Sequence, residues 1–156
     1  MINRDLEAIL QQAIGLKITS LSQSSIERVM KRRLAALGLE SLDDYLGRLK
    51  SSPQELKTLI EEVVIPETWF FRDGESYTFL AGFLRQQLKP TGNRPLRILS
   101  IPCSTGEEPY SIAITALQAG WPPYLLRVDA VDISVRAIEL ARRGEYRPNS
   151  FRGDDL

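Results

Sequence analysis

Three carboxylates stand where a strand-to-helix fold could put them to chemical use. Glu107 and Glu108 close the segment Pro102-Cys-Ser-Thr-Gly-Glu-Glu-Pro109, and Asp132 ends the run Val128-Asp-Ala-Val-Asp132. Gly106 permits a backbone conformation or a close ligand approach that a β-carbon would block, and Pro109 suits the first turn of a helix. Together they predict a tight turn from a strand into a helix. A dinucleotide-binding turn presents several glycines so that a pyrophosphate can rest on the helix N-terminus. This loop has one glycine and two glutamates, and two carboxylates there repel phosphate. One of them could instead pair with the amino group of an amino-acid-like ligand. The alternative is that both glutamates merely favour the positive end of a helix dipole, and the loop alone does not separate the two. Asp132 also has two readings, as an acceptor for both ribose hydroxyls of a nucleoside or as the N-cap of a helix beginning near Ser134 or Val135.

S-adenosylmethionine carries an amino group and a ribose but no phosphate. The spacing from Gly106 to an acid after the next strand is shared by NAD-binding and methyltransferase folds. The single-glycine loop favours the methyltransferase and disfavours a nicotinamide dehydrogenase.

The elements that must position these residues follow from periodicity. From Asn3 to about Leu88 the apolar residues recur at helical spacing, predicting helices over 3–14, 24–37, 41–50, 53–63 and 75–88. Ser41 and Ser52 or Pro53 sit where helix starts are favoured, and Gly38 is a C-terminal stop. The segment Lys89-Pro-Thr-Gly-Asn-Arg-Pro95 breaks the pattern, and the character of the sequence changes after it. Leu96–Ile101 then reads as a strand, 109–119 as a helix, Leu126–Val131 as a second strand and Ser134–Arg143 as a second helix. This β-α-β-α order opens a parallel sheet of the doubly wound, Rossmann-like class, which places both acidic segments at its carboxyl edge.

Composition narrows the chemistry further. The chain has no histidine and one cysteine, Cys103, which removes the commonest general base, the commonest zinc ligand and any internal disulfide. Metal hydrolysis and Ser-His-Asp chemistry are poor candidates, and no metal is expected. Twenty basic and twenty acidic side chains give a formal net charge of zero, so no overall attraction to nucleic acid or to an anionic membrane is expected. No run of apolar residues is long enough for membrane insertion, and the chain reads as cytoplasmic. At 156 residues and 43% apolar composition it can bury a real core. No internal repeat or low-complexity tract is present.

Two longer motifs carry a resemblance. Ser104-Thr-Gly-Glu-Glu-Pro-Tyr-Ser-Ile112 resembles the cofactor loop of CheR-type chemotaxis protein-glutamate O-methyltransferases, and Ile65-Pro-Glu-Thr-Trp-Phe-Phe-Arg-Asp73 resembles the signature that precedes their catalytic domain. Ala137-Ile-Glu-Leu-Ala-Arg-Arg-Gly-Glu-Tyr146 continues the likeness, and the helical first half is similar to the small N-terminal domain of the family. The resemblance implies a helical domain with the signature linker over residues 1–73 and a partial methyltransferase domain over 74–156. It implies S-adenosyl-L-methionine as cofactor and S-adenosyl-L-homocysteine as product. Thr68, Arg72, Glu108 and Asp132 would bind the cofactor, with Glu108 rather than Glu107 on the amino group, Asp132 on the ribose and Arg72 nearest the reacting end. Pro66 stands where many relatives carry asparagine. The reaction implied is direct displacement, in which a receptor glutamate attacks the methyl group while Arg72 acts as the catalytic residue that orients it.

For Trp69, Phe70 and Phe71 the plainer expectation is core packing of at least two of the three. Arg28, Lys31 and Arg32 fall on one side of the helix 24–37, opposite Ile26, Val29, Met30, Leu34 and Leu37. Such a face is ordinarily only solvated. By resemblance it would dock on the acidic cytoplasmic helical domain of a chemoreceptor, while Arg33, toward the apolar side, would snorkel or bridge domains. Phe151–Leu156 is too short for another strand and crossover, so the sheet is expected to be incomplete. The edge of Ile98–Ile101 would then lie bare, with weak or absent activity of the isolated chain and a tendency to self-association. The competing reading is a non-catalytic module that binds receptor or cofactor.

Overall fold

The computed structural model describes residues 4–15, 22–64, 67–86 and 95–152. They belong to two compact units, Met1–Ile65 and Pro66–Leu156. The division falls ahead of both the 73/74 boundary implied by resemblance and the Lys89–Pro95 segment, whose residues 89–94 lie outside the described residues. Hydrogen bonding explains the earlier division. The Phe70 and Phe71 amides donate to the Ser150 carbonyl and to Ser111 Oγ, which ties the signature turn to the second unit.

The first unit is all helical: α1 Arg4–Ile14, α2 Gln23–Leu37, α3 Leu42–Ser51 and α4 Pro53–Val63. Local capping chemistry sets the boundaries. Ser22, Ser41 and Ser52 each accept a backbone N–H three residues on, Pro53 opens α4, and Gly38 closes α2 in the left-handed region at φ 64°. Asn3 of the expected first helix lies outside the described residues. The apolar stripes of the four helices meet in one core, with Leu6, Leu10, Val29, Leu49 and Leu59 among its buried members.

Within that core sits a polar cluster that corrects the reading of Arg33. Its guanidinium neither snorkels nor leaves the unit. It grips the buried carboxylate of Glu55 through Nη2 at 2.6 Å and Nε at 2.9 Å, and Tyr45 donates its hydroxyl to the same carboxylate at 2.9 Å. A fork of this kind offsets the desolvation of the two charges, which contacts along the methylenes alone would not.

The second unit runs α5 Gly74–Gln86, β1 Leu96–Ser100, α6 Glu107–Gln118, β2 Leu126–Ala130 and α7 Val135–Arg143. The strands are parallel, in register from Leu96 opposite Leu126 to Ser100 opposite Ala130. Both strands and α5 pack on α6, and Leu84, Ala116, Trp121 and Leu125 form a buried cluster there. The expected β-α-β-α opening is therefore present. Helix α6 begins at Glu107 rather than at residue 109, because Gly106 turns the chain at φ 100° and admits both glutamates to the first turn. Residues 87–88 of the expected fifth helix lie outside the described residues.

Among the described residues β1 pairs only with β2, and Leu99 and Ile101 are 59% and 61% exposed. On β2, Asp129 bridges Arg97 and Arg127, which face each other across the strands, at 2.9 Å each; these hydrogen bonds hold its carboxyl below the usual range. No helix among the described residues is long and apolar enough to cross a membrane.

Candidate functional site

The loop after β1 is built around two carboxylates that are used internally in different ways. Asp132 Oδ2 accepts the Ser104 amide at 2.7 Å, and Oδ1 accepts the Ser134 amide at 2.9 Å. It therefore clamps the loops after both strands together. It is not the N-cap of α7: that is Ser134, whose hydroxyl accepts the Ala137 amide at 3.0 Å. Ser104 sits at φ 47°, a conformation that a charge-assisted hydrogen bond to its amide helps to hold.

Glu107 and Glu108 part company at the start of α6, since adjacent helical residues point about 100° apart. Glu107 is 3% exposed and accepts from Thr105 Oγ1 at 2.6 Å and Ser150 Oγ at 3.0 Å. Glu108 is exposed and accepts from Ser100 Oγ at 2.6 Å, which places its carboxylate at the carboxyl end of β1. Of the pair, Glu108 is the one accessible to a ligand. Cys103 lies buried between the two acidic positions. Burial, with the charges of Asp132 and Glu108, pushes its thiol above the ordinary value, so it is no nucleophile at neutral pH.

Ser104 Oγ is the loop's one buried side-chain polar atom without a hydrogen-bond partner among the described residues. A buried hydroxyl left unpaired is disfavoured by about 1–3 kcal/mol.

The signature turn lies against α6. The Phe71 amide donates to Ser111 Oγ at 3.0 Å, and the Phe71 ring meets Tyr77 edge to face at 5.4 Å. Tyr77 is half-buried, and burial first, then the charge of Glu108, raises its hydroxyl above the ordinary value. Arg72 is exposed, donates through Nη1 to the Glu67 carbonyl at 3.0 Å and lies over the Trp69 ring at 4.7 Å. Thr68 is half-buried on the same segment. Of the three aromatics only Phe70 is fully buried, stacked on Phe151 at 4.7 Å and edge-on to Tyr146 at 4.8 Å; Trp69 and Phe71 are half-buried. The expectation of at least two core aromatics is thus met by Phe70 alone.

Sequence reasoning missed Ser100, Tyr77, Ser111 and Ser150. One signal was available for Ser111. Glu107, Ser111 and Thr115 fall at four-residue spacing on a single face of α6, and all three are buried polar side chains.

In the helical unit, Arg28 and Lys31 are exposed on α2, with Arg28 Nη2 donating to Ser25 Oγ at 3.4 Å. Arg32 is engaged, at 3.0 Å from Glu62. The three cations are therefore not equivalent. Together with Ile26, Val29, Val63 and Glu62, Arg28 and Arg32 line a shallow cavity of about 180 Å³.

Comparison with known proteins places these features in context. A family model described as CheR methyltransferase, all-alpha domain, matches residues 4–64, and one described as CheR methyltransferase, SAM binding domain, matches residues 66–153. The probable biofilm formation methyltransferase WspC of Pseudomonas aeruginosa is 51% identical over 99% of this chain and 37% of its own length. Its namesake in Pseudomonas putida is 46% identical over 94% of this chain and 35% of its own length. The chemotaxis protein methyltransferase of Escherichia coli K12 is 32% identical over 96% of this chain and 51% of its own length. The chain thus spans between about a third and a half of the length of these relatives.

Proposed function

The chain belongs to the CheR methyltransferase family, and from that premise we propose that its second unit binds S-adenosylmethionine as part of an enzyme that methylates glutamate side chains of chemoreceptors. The observation that carries this reading is the group of side chains gathered at the carboxyl ends of β1 and β2. They comprise an exposed carboxylate at Glu108 in the first turn of α6, a second carboxylate at Asp132 after β2 and, in the loop after β1, the buried hydroxyl of Ser104 without a partner among the described residues. That donor and acceptor set fits a ligand with an ammonium group and ribose hydroxyls and suits a pyrophosphate badly.

In this reading Glu108 holds the amino group, Asp132 takes the ribose, Thr68 contacts the cofactor and Arg72 stands at the reacting end. When bound, the cofactor supplies a methyl group activated by its sulfonium. The residues of the chain act by binding and orientation. A substrate glutamate is already ionised at neutral pH, so no general base is required, and Arg72 can align its carboxylate. The substrate is proposed to be a glutamate on the cytoplasmic helical domain of a receptor. The higher identity to proteins named for biofilm formation than to those named for chemotaxis supports a receptor acting in biofilm formation.

Titration calorimetry with S-adenosylhomocysteine tests the cofactor site. Binding is expected for the native chain and should weaken at least about tenfold, or roughly 1.4 kcal/mol, in Asp132→Asn and Arg72→Ala. NAD should give no heat. Absence of S-adenosylhomocysteine binding, or equal binding by both variants, would refute the assignment.

Docking is proposed to run through the exposed cations of α2. Since Arg32 is shared with Glu62, Arg28 and Lys31 should dominate. Arg28→Glu with Lys31→Glu is expected to weaken binding to an acidic receptor helical domain at low salt, and the difference should shrink at high salt. A pull-down unaffected by the double reversal at low ionic strength would end this part of the proposal.

A further inference from the structure

The turn that carries Arg72 is strained at Phe71. Phe71 lies at φ 55°, in the left-handed region where a bulky side chain is a genuine outlier, and Asp73 follows at φ 60°, a conformation aspartate adopts more readily. A residue such as Phe71 is disfavoured there by about 1–3 kcal/mol and persists only where its surroundings over-determine it. The surroundings here are a set of hydrogen bonds that converge on one residue. The Phe70 amide donates to the Ser150 carbonyl at 2.8 Å, and Ser150 Oγ reaches Glu107 Oε1 at 3.0 Å. The Phe71 amide donates to Ser111 Oγ at 3.0 Å, and that hydroxyl donates to the Glu107 carbonyl at 2.7 Å. Ser111 is 0% exposed and Glu107 is 3% exposed, so both chains end on a residue shielded from water, while Ser150 is half-buried.

We infer that Glu107, Ser111 and Ser150 are positioning residues, which lock the strained Phe70–Phe71 turn onto the first turn of α6 and so fix where Arg72 stands relative to Glu108. The assignment rests on the cofactor reading above and adds a division of labour within the glutamate pair. Glu108 faces the ligand, while its buried neighbour sets the register of the signature turn. A carboxylate suits this task because it accepts from Thr105 and Ser150 at once, holding the loop and the turn with the same group. Phe70 adds an apolar anchor between Tyr146 and Phe151.

Trp69 supplies a readout that needs no ligand, because Arg72 lies over its ring. The only other tryptophan, Trp121, has an indole N–H without a hydrogen-bond partner among the described residues, so Trp121→Phe gives a single-tryptophan parent that loses no such bond. In that parent, Ser111→Ala with Ser150→Ala is expected to at least double acrylamide quenching of Trp69 and to weaken S-adenosylhomocysteine binding about tenfold. Ser150→Thr, which keeps the hydroxyl, should restore both relative to Ser150→Ala alone. Should the double variant not fold, the Ser150→Ala and Ser150→Thr pair carries the same comparison. Trp69 quenching that is unchanged in a folded variant overturns the inference, as does ligand affinity unchanged where the parent binds. A parent that binds no ligand, with Trp69 quenching still responding, refutes the cofactor reading and leaves the positioning of the turn supported.

Discussion

Arg33→Met should destabilise the helical unit by about 3–5 kcal/mol, enough to consume much of the stability of a small domain. The reason lies in what remains rather than in what is removed. Glu55 is 5% exposed, and without the guanidinium its carboxylate keeps only the Tyr45 hydroxyl as a strong donor. A buried carboxylate stripped of its cation either stays charged at a large desolvation penalty or takes up a proton. Arg33→Met with Glu55→Leu should recover most of the loss, since replacing both members of a buried pair with apolar groups is often nearly neutral. The residual deficit should be about 1–2 kcal/mol, from the Tyr45 hydroxyl left unpaired. Urea unfolding of the two variants decides the matter. A double variant as unstable as the single one would mean that packing, rather than the orphaned charge, sets the penalty.

The same cluster makes a pH prediction with a definite sign. The Arg33 hydrogen bonds, then that of Tyr45, hold the Glu55 carboxyl below its ordinary value of 4.5 despite the opposing effect of burial. A depressed folded-state value means that the unfolded chain binds the proton first. The contribution of Glu55 is therefore fully present above 4.5 and declines as the pH falls from there through the lowered folded-state value. Midpoints of urea unfolding should drop over that acid range in the native chain. The drop should be smaller in Glu55→Gln, which has no carboxyl to titrate.

What could be read from the sequence divides along the range of the interaction. Ser41, Ser52, Pro53 and Gly38 act within three or four residues of themselves, so capping chemistry located the ends of α2, α3 and α4 closely. The turn into α6 was legible for the same reason. Arg33 was misread because its partner lies 22 positions away on another helix, and no local pattern marks Glu55 as the acid that turns inward. The two glutamates of the loop show the limit most clearly. Both favour a helix start, and Thr105 can bond Glu107 locally, but it is the contact with Ser150, 43 positions away, that goes with burial of Glu107, while Glu108 meets Ser100 at the end of β1. The signature turn is tied to the second unit by contacts that are distant along the chain. Its hydrogen bonds to Ser111 and Ser150 could not be seen in advance.

Gly106→Ala should be the most damaging single methyl group in the second unit, at about 2–5 kcal/mol from strain and overpacking together. The residue sits at φ 100°, and an added β-carbon would lie 2.6 Å from Tyr146 Oη and 2.8 Å from the Ala141 β-carbon. Tyr146 cannot simply swing aside. Its hydroxyl donates to the Thr105 carbonyl at 2.9 Å, and its ring is held edge-on to Phe70 at 4.8 Å and to Tyr110 at 5.8 Å. Gly120 provides the control, because it has a nearly equal φ of 95° but nothing within 4 Å of the added carbon. Gly120→Ala should therefore cost about 1–2 kcal/mol from backbone conformation alone. The excess measured for Gly106→Ala over Gly120→Ala isolates the crowding between the loop and α7. The functional consequence follows from the neighbours: Gly106 stands between Ser104, which Asp132 clamps, and the first turn of α6, which presents Glu108. Relief of the clash by moving either side would separate the two carboxylates assigned to the ligand. S-adenosylhomocysteine affinity should accordingly fall more in Gly106→Ala than in Gly120→Ala, and equal losses of stability and affinity in the two would show that the loop is not closely packed.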